Sequence, residues 1–156
     1  MAIDKVTTAA ITDSSVTDAK LSFNSNQFRN IIINGDMSVA QRSTSETGQT
    51  SSGYICVDRF NHGINSQGTW TISQDTTVPT GQGFAKSMKM DCTTADASPS
   101  ASDSLQIQHR IEGQNLQYLK KGTSSAESTT VSFWVRSNKT GTYICELYDG
   151  DNDRSI

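Results

Sequence analysis

Three segments of this chain alternate strictly between apolar and polar residues, and that alternation limits the folds open to it. Thr69–Ser73 (TWTIS) sets Trp70 and Ile72 against three hydroxyls. Lys86–Cys92 (KSMKMDC) sets Met88, Met90 and Cys92 against Ser87, Lys89 and Asp91. Ser104–Ile111 (SLQIQHRI) sets Leu105, Ile107, His109 and Ile111 against Gln106, Gln108 and Arg110. Successive side chains of a strand point to opposite faces, so a period of two buries one face and wets the other. Val131–Arg136 (VSFWVR) reads as the strongest strand, with Val131, Phe133 and Val135 inward, and Thr142–Tyr148 (TYICELY) as its return after an Asn138–Gly141 turn. Weaker strand signals lie at Met37–Ala40 and Tyr54–Phe60 (YICVDRF), where Asp58 and Arg59 are expected to form a local ion pair. The connections RSTSETGQTSSG, NHGINSQG, DTTVPTGQG and TTADASPSASD read as polar loops, and Glu112–Gly122 is the one helix-like patch. Apolar residues make up 33% of the chain and charged residues 19%, both low for a globular domain. Ser, Thr, Asn, Gln and Gly fill the difference, which suits strands better than a helical bundle. The expected fold is all-β, an antiparallel β-sandwich of jelly-roll type.

Upstream the pattern changes. In residues 1–28, Val6, Ile11, Val16 and Leu21 recur every five residues, a spacing that belongs neither to a helix nor to a strand. The polar stretches between them are too poor in apolar residues to build a core alone. This ladder is expected to find partners on other copies around a shared axis, which favours a homotrimer with 1–28 as an extended stalk or docking segment. Arg29–Arg42 (RNIIINGDMSVAQR) marks the junction. Ile31–Ile33 are β-branched and read as the first strand, stopped by the turn signal Asn34-Gly35-Asp36. The β-domain is expected to span 29–156 and to be incomplete at its C-terminus, since six to eight short strands are visible.

Several function classes lack a sequence signal. The net charge is −3 and the only Lys pair is Lys120-Lys121, so no basic stripe for nucleic acid exists. No apolar run is long enough to span a bilayer, so no membrane insertion is expected. Cys56, Cys92 and Cys145 are odd in number, lack CxxC or Cys/His spacing, and are expected to be buried reduced thiols. No P-loop, GxGxxG or GxSxG occurs, and no carboxylate pair is nominated for glycoside hydrolysis. No enzyme activity, cofactor or metal is expected.

The order of four pieces, NIIINGDMSVAQR (30–42), GYICVDRF (53–60), LQIQHRIEG (105–113) and TTVSFWVRSNKTGTYICEL (129–147), resembles a domain of bacteriophage tail-fibre and virion appendage proteins. That domain is similar to carbohydrate-binding-module jelly rolls, whose opening resembles N-x-x-x-N-G-D/G-F; Met37 stands here where an aromatic is common. AITDSSVTDAKLS (10–22) resembles the repeats that precede such domains. The resemblance implies a non-enzymatic virion protein assembled in the host cytoplasm, most simply a tail or head fibre. Its N-terminal segment would dock to other tail or capsid proteins, and its β-domain would make oligomer contacts and meet a host-surface glycan. A capsid decoration or tail-adaptor protein with no receptor role is the main alternative. A glycan-degrading enzyme with its catalytic part beyond residue 156 is a third class.

Gln106, Gln108, Arg110, Ser132, Trp134 and Arg136 lie out of phase with the core positions. On neighbouring strands they would form a patch of amides, guanidinia and one indole. An indole stacks on sugar rings, and planar amides and guanidinia bond hydroxyls. The favoured reading of the patch is a subunit interface anchored by Trp134. Asp149, Asp151 and Asp153 read as a solvated hairpin turn rather than a calcium loop. Asp36 is a further cation ligand only on the resemblance to jelly rolls. His62 reads as a loop residue and His109 as a core or interface histidine.

Overall fold

The computed structural model describes residues 30–155, so the Val6, Ile11, Val16 and Leu21 ladder and the stalk expected over 1–28 lie outside the described residues. The described chain is mostly strand and loop, with β1 (Ser45–Gln49), β2 (Phe60–Asn65), β3 (Thr69–Asp75), β4 (Ser87–Thr94), β5 (Ser104–His109), a 3-10 helix (Gly113–Leu119), β6 (Tyr148–Asp149) and β7 (Arg154–Ser155). All pairing is antiparallel, in a three-stranded sheet β1-β3-β4, a two-stranded sheet β2-β5 and the short hairpin β6-β7. The chain is therefore all-β, in antiparallel sheets.

In the first sheet, Trp70, Ile72 and Gln74 stand opposite Cys92, Met90 and Met88. Residues directly opposite in an antiparallel pair share a face, so the apolar sets of the two segments meet as their alternation requires. Ile72 is fully buried at the centre, with Cys56 and Val57 packed in the same core. The Cys56 thiol donates to the Ile72 carbonyl at 3.1 Å. Cys56 follows the expectation of a buried thiol; Cys92 and Cys145 are exposed. Cys92 lies near the outer end of β4, where the strand runs beyond the core and Thr93 and Thr94 are exposed as well.

Two stretches read as loops are strands. β1 lies inside RSTSETGQTSSG and has no apolar residue; it exists as an edge strand because β3 supplies its hydrogen-bond partners. Its register shifts between Glu46 and Gln49, where Gly48 takes φ +71°, a bulge that suits an edge. β2 takes Phe60 from the end of YICVDRF and the rest from NHGINSQG, and its first five residues are all buried. Asn61 and Gly63 are covered as well as Phe60, His62 and Ile64, so its burial does not alternate. Between β2 and β3 the chain crosses from one sheet to the other through Ser66, Gln67 and Gly68. Ser66 and Gly68 both have positive φ, and a Cβ on Gly68 would lie 2.2 Å from the Thr94 carbonyl oxygen. Only glycine fits at that approach.

Five expected strands are not formed. Ile31–Ile33 belong to a turn, because the Asn30 side chain accepts from the Ile32 amide at 3.0 Å and bends the chain back locally. Met37–Ala40 is irregular, and Tyr54–Arg59 turns into β2 through Arg59 at φ +73°. Val131–Arg136 and Thr142–Leu147 have strand composition but no strand partner among the described residues, and both segments are exposed. A strand needs a neighbour for its backbone groups, and sequence alternation does not provide one. Asp58 and Arg59 do not pair with each other: Asp58 meets Arg42 at 3.6 Å and Arg59 meets Glu112 at 3.5 Å.

Candidate functional site

The junction segment contains the densest polar network of the domain. Asn34 sits at φ +59° and Met37 at φ +58°. The Asn34 amide donates to the carbonyls of Val39 at 3.0 Å and Asp58 at 2.8 Å, and its oxygen accepts from the Val39 amide at 2.9 Å. The Asp58 amide in turn donates to the Val39 carbonyl at 3.0 Å, and Gln74 of β3 donates to the carbonyls of Met37 at 2.7 Å and Ser38 at 3.1 Å. One asparagine thus closes its own turn and clasps it to the approach to β2, while Gln74 ties the same turn to the larger sheet. The NGD signal marks a clasp that orders the start of the domain. Asp36 is exposed, and no group of three His, Cys, Asp or Glu side chains among the described residues is arranged for a metal.

The β2–β5 sheet carries both histidines. Phe60 faces His109, His62 faces Ile107 and Ile64 faces Leu105 on one side; Asn61 faces Gln108 and Gly63 faces Gln106 on the other. His62 is buried inside β2 rather than in a loop, and its Nε2 lies 3.1 Å from the Ser51 carbonyl. His109 Nε2 lies 3.1 Å from the Ile33 carbonyl, and its ring meets Phe60 edge-on at 4.9 Å. A nitrogen facing a carbonyl must carry the proton, which leaves both Nδ1 atoms as buried acceptors without a donor. Burial pushes both imidazoles below their ordinary value, and for each the facing carbonyl opposes the shift. Among the described residues, neither histidine has a hydroxyl or thiol nucleophile bonded to it. His109 is anchored as a packing residue, in keeping with its reading as a core or interface histidine.

Of the patch predicted from alternation, β5 brings Gln106 and Gln108 to one face, with Arg110 just past its end. Gln106 folds across Gly63, where a Cβ would lie 2.5 Å from its Cγ. Trp134 and Arg136 are on the irregular exposed segment, and among the described residues β5 has only β2 as a strand neighbour. Within one chain the structure therefore forms the amide half of the patch on a strand and leaves the indole half on unpaired chain. Sequence reasoning missed the burial of His62 and the role of Gly63; the Gly opposite a Gln was legible only once the β2–β5 register was known.

Exposed apolar side chains recur on two segments. Leu105, Ile107 and Ile111 are exposed around β5, and Phe133, Trp134, Val135, Tyr143 and Ile144 are exposed at 61–87% along the unpaired segment. Exposed apolar surface on this scale marks an interaction site. A shallow hollow of about 500 Å³ lies beside the 3-10 helix, lined by Gly113, Leu116, Gln117, Lys120, Lys121 and Thr123. At the tail end, Asp149 accepts from the Asp151 amide at 3.1 Å and the Asn152 side chain at 2.7 Å. Those bonds hold its carboxyl below the usual range, the Asn152 side chain first. The aspartates of DGDNDR are thus engaged in their own turn, as read from the sequence.

No helix among the described residues is long and apolar enough to cross a membrane. No family model, curated protein or solved structure matches the chain.

Proposed function

We propose that this protein is a non-enzymatic virion component, a tail or head fibre subunit whose residues 1–28 dock it to the particle. Its two main sheets would pack as a jelly-roll-like sandwich that provides subunit contacts and a surface for host glycan. The observation that carries this reading is the bare aromatic and aliphatic surface on β5 and on 131–148, which a protein working as a lone subunit would keep covered. The Asn34 clasp supports it by giving the β-domain an ordered beginning independent of the segment before it. The order of motifs shared with phage appendage domains supports it from the sequence side, and a homotrimer suits the one-in-five apolar ladder.

Immunogold labelling of purified virions tests location, and light scattering tests assembly. Trp134→Ala separates the two roles of the surface. Loss of glycan or cell binding with the assembly intact supports recognition. Loss of assembly with binding retained refutes the glycan role and leaves a structural cement.

A further inference from the structure

We propose that Val131–Arg136 of a second copy adds to the free edge of β5 as an antiparallel strand, so that the amide and indole halves of the glycan patch come from different subunits. The inference rests on the reading above for the existence of several subunits, and it specifies how they meet.

Four observations point to this occupant. First, β5 has β2 on one side only, and among the described residues no backbone-to-backbone bond leaves its other edge. An open edge is a template for another strand. Second, residues 128–147 make no backbone-to-backbone hydrogen bond among the described residues, although Val131–Arg136 alternates as a strand does. Phe133, Trp134 and Val135 are 63%, 65% and 68% exposed in their own chain, so that chain does not seat them on its own β5. Third, both partners are six residues long, and one register matches them throughout. Ile107 then faces Phe133, Leu105 faces Val135 and His109 faces Val131, which covers the apolar side chains left bare on both. Fourth, charge fixes the direction. Antiparallel addition brings Arg136 to the end of β5 that carries Asp103, whereas parallel addition would set it beside Arg110.

The same register places Trp134 opposite Gln106 and Arg136 opposite Ser104, on the face that carries Gln108. A sugar ring stacked on the indole of one subunit would then find the amides of the next within reach. Donation in one direction is a head-to-tail contact, which closes as a ring when the rotation between copies allows it.

Cysteine pairs in the full-length protein test the contact, in a background with Cys92 and Cys145 changed to Ser and with Cys56 buried. His-tagged Ile107→Cys is co-expressed with untagged Phe133→Cys and oxidised, and the same is done with Leu105→Cys and Val135→Cys. The expected result is a disulfide-linked tagged–untagged product from at least one pair. Lys89→Cys on β4, combined with Phe133→Cys, should give none. Phe133→Pro, which removes the donor's amide, should abolish linkage of Val135→Cys to Leu105→Cys when added to the Val135→Cys chain, while the thermal transition remains cooperative. An internal disulfide in the Ile107→Cys/Phe133→Cys double variant, or equal linkage from Lys89→Cys, overturns the inference. An oligomer in which neither pair links also overturns it, and leaves the fibre reading intact. Absence of the protein from virions overturns the fibre reading, and a linked pair would still stand.

Discussion

Replacing Asn34 with alanine removes three hydrogen bonds and one conformational preference together. The side chain donates to Val39 and Asp58 and accepts from Val39. Each such bond contributes about 0.5–1.5 kcal/mol net, and the two to Val39 are exposed, which puts them at the low end. Alanine at φ +59° adds about 1 kcal/mol, because a Cβ in the left-handed region crowds the carbonyl. The total is about 3 kcal/mol, or a fall in Tm of roughly 10 °C for a domain of this size. Asn34→Gly keeps the backbone preference and should recover about 1 kcal/mol of that loss. Asn34→Asp keeps the acceptor for the Val39 amide but sets an oxygen against two carbonyls, so at neutral pH it should be no better than alanine. Differential scanning calorimetry of the three variants measures this ordering. A change in Tm under about 2 °C for Asn34→Ala, or glycine less stable than alanine, would refute the clasp as a source of stability.

The buried His62 and the half-buried His109 predict acid sensitivity. Unfolded imidazoles bind a proton near 6.5 whereas the folded rings resist it, so this contribution is complete above 6.5 and is lost as pH falls through the lowered folded values. Tm should decline between about pH 7 and pH 5, before carboxylates titrate, and His62→Asn should flatten the decline; an unchanged slope in that variant would rule His62 out as a source. Gly68→Ala should cost about 3 kcal/mol or more, since the new Cβ meets the Thr94 oxygen in a strained backbone, while Gly81→Ala, with the same sign of φ and open space, should cost about 1 kcal/mol. Urea unfolding of the pair checks the contrast, and equal losses would mean that the turn between the sheets relaxes. A chain beginning at Asn30 should keep its Tm and lose attachment to the particle; unfolding of that fragment would place residues 1–28 inside the domain.

Local pattern alone determined β3, β4 and β5. Their residues alternate between apolar and polar, and that period of two is written into successive residues, although the apolar face of β5 stays exposed in the single chain. The 3-10 helix with Leu119 buried at its end, and the engaged aspartates of the last turn, were legible for the same reason: their interactions lie within a few residues. Tertiary structure decided the rest. β2 is buried on both faces, which its own residues do not announce, and Gly63 makes sense only with Gln106 opposite. β1 is a strand because β3 lends it hydrogen bonds, not because of its side chains. Ile31–Ile33 have strong strand propensity, yet the Asn30 side chain turns them. Val131–Arg136 shows the converse, since its sequence specifies a strand and one chain supplies no neighbour for it. Alternation fixes which face of a strand prefers burial, but a strand exists only where another backbone satisfies its amides and carbonyls, and that partner is chosen by the whole fold.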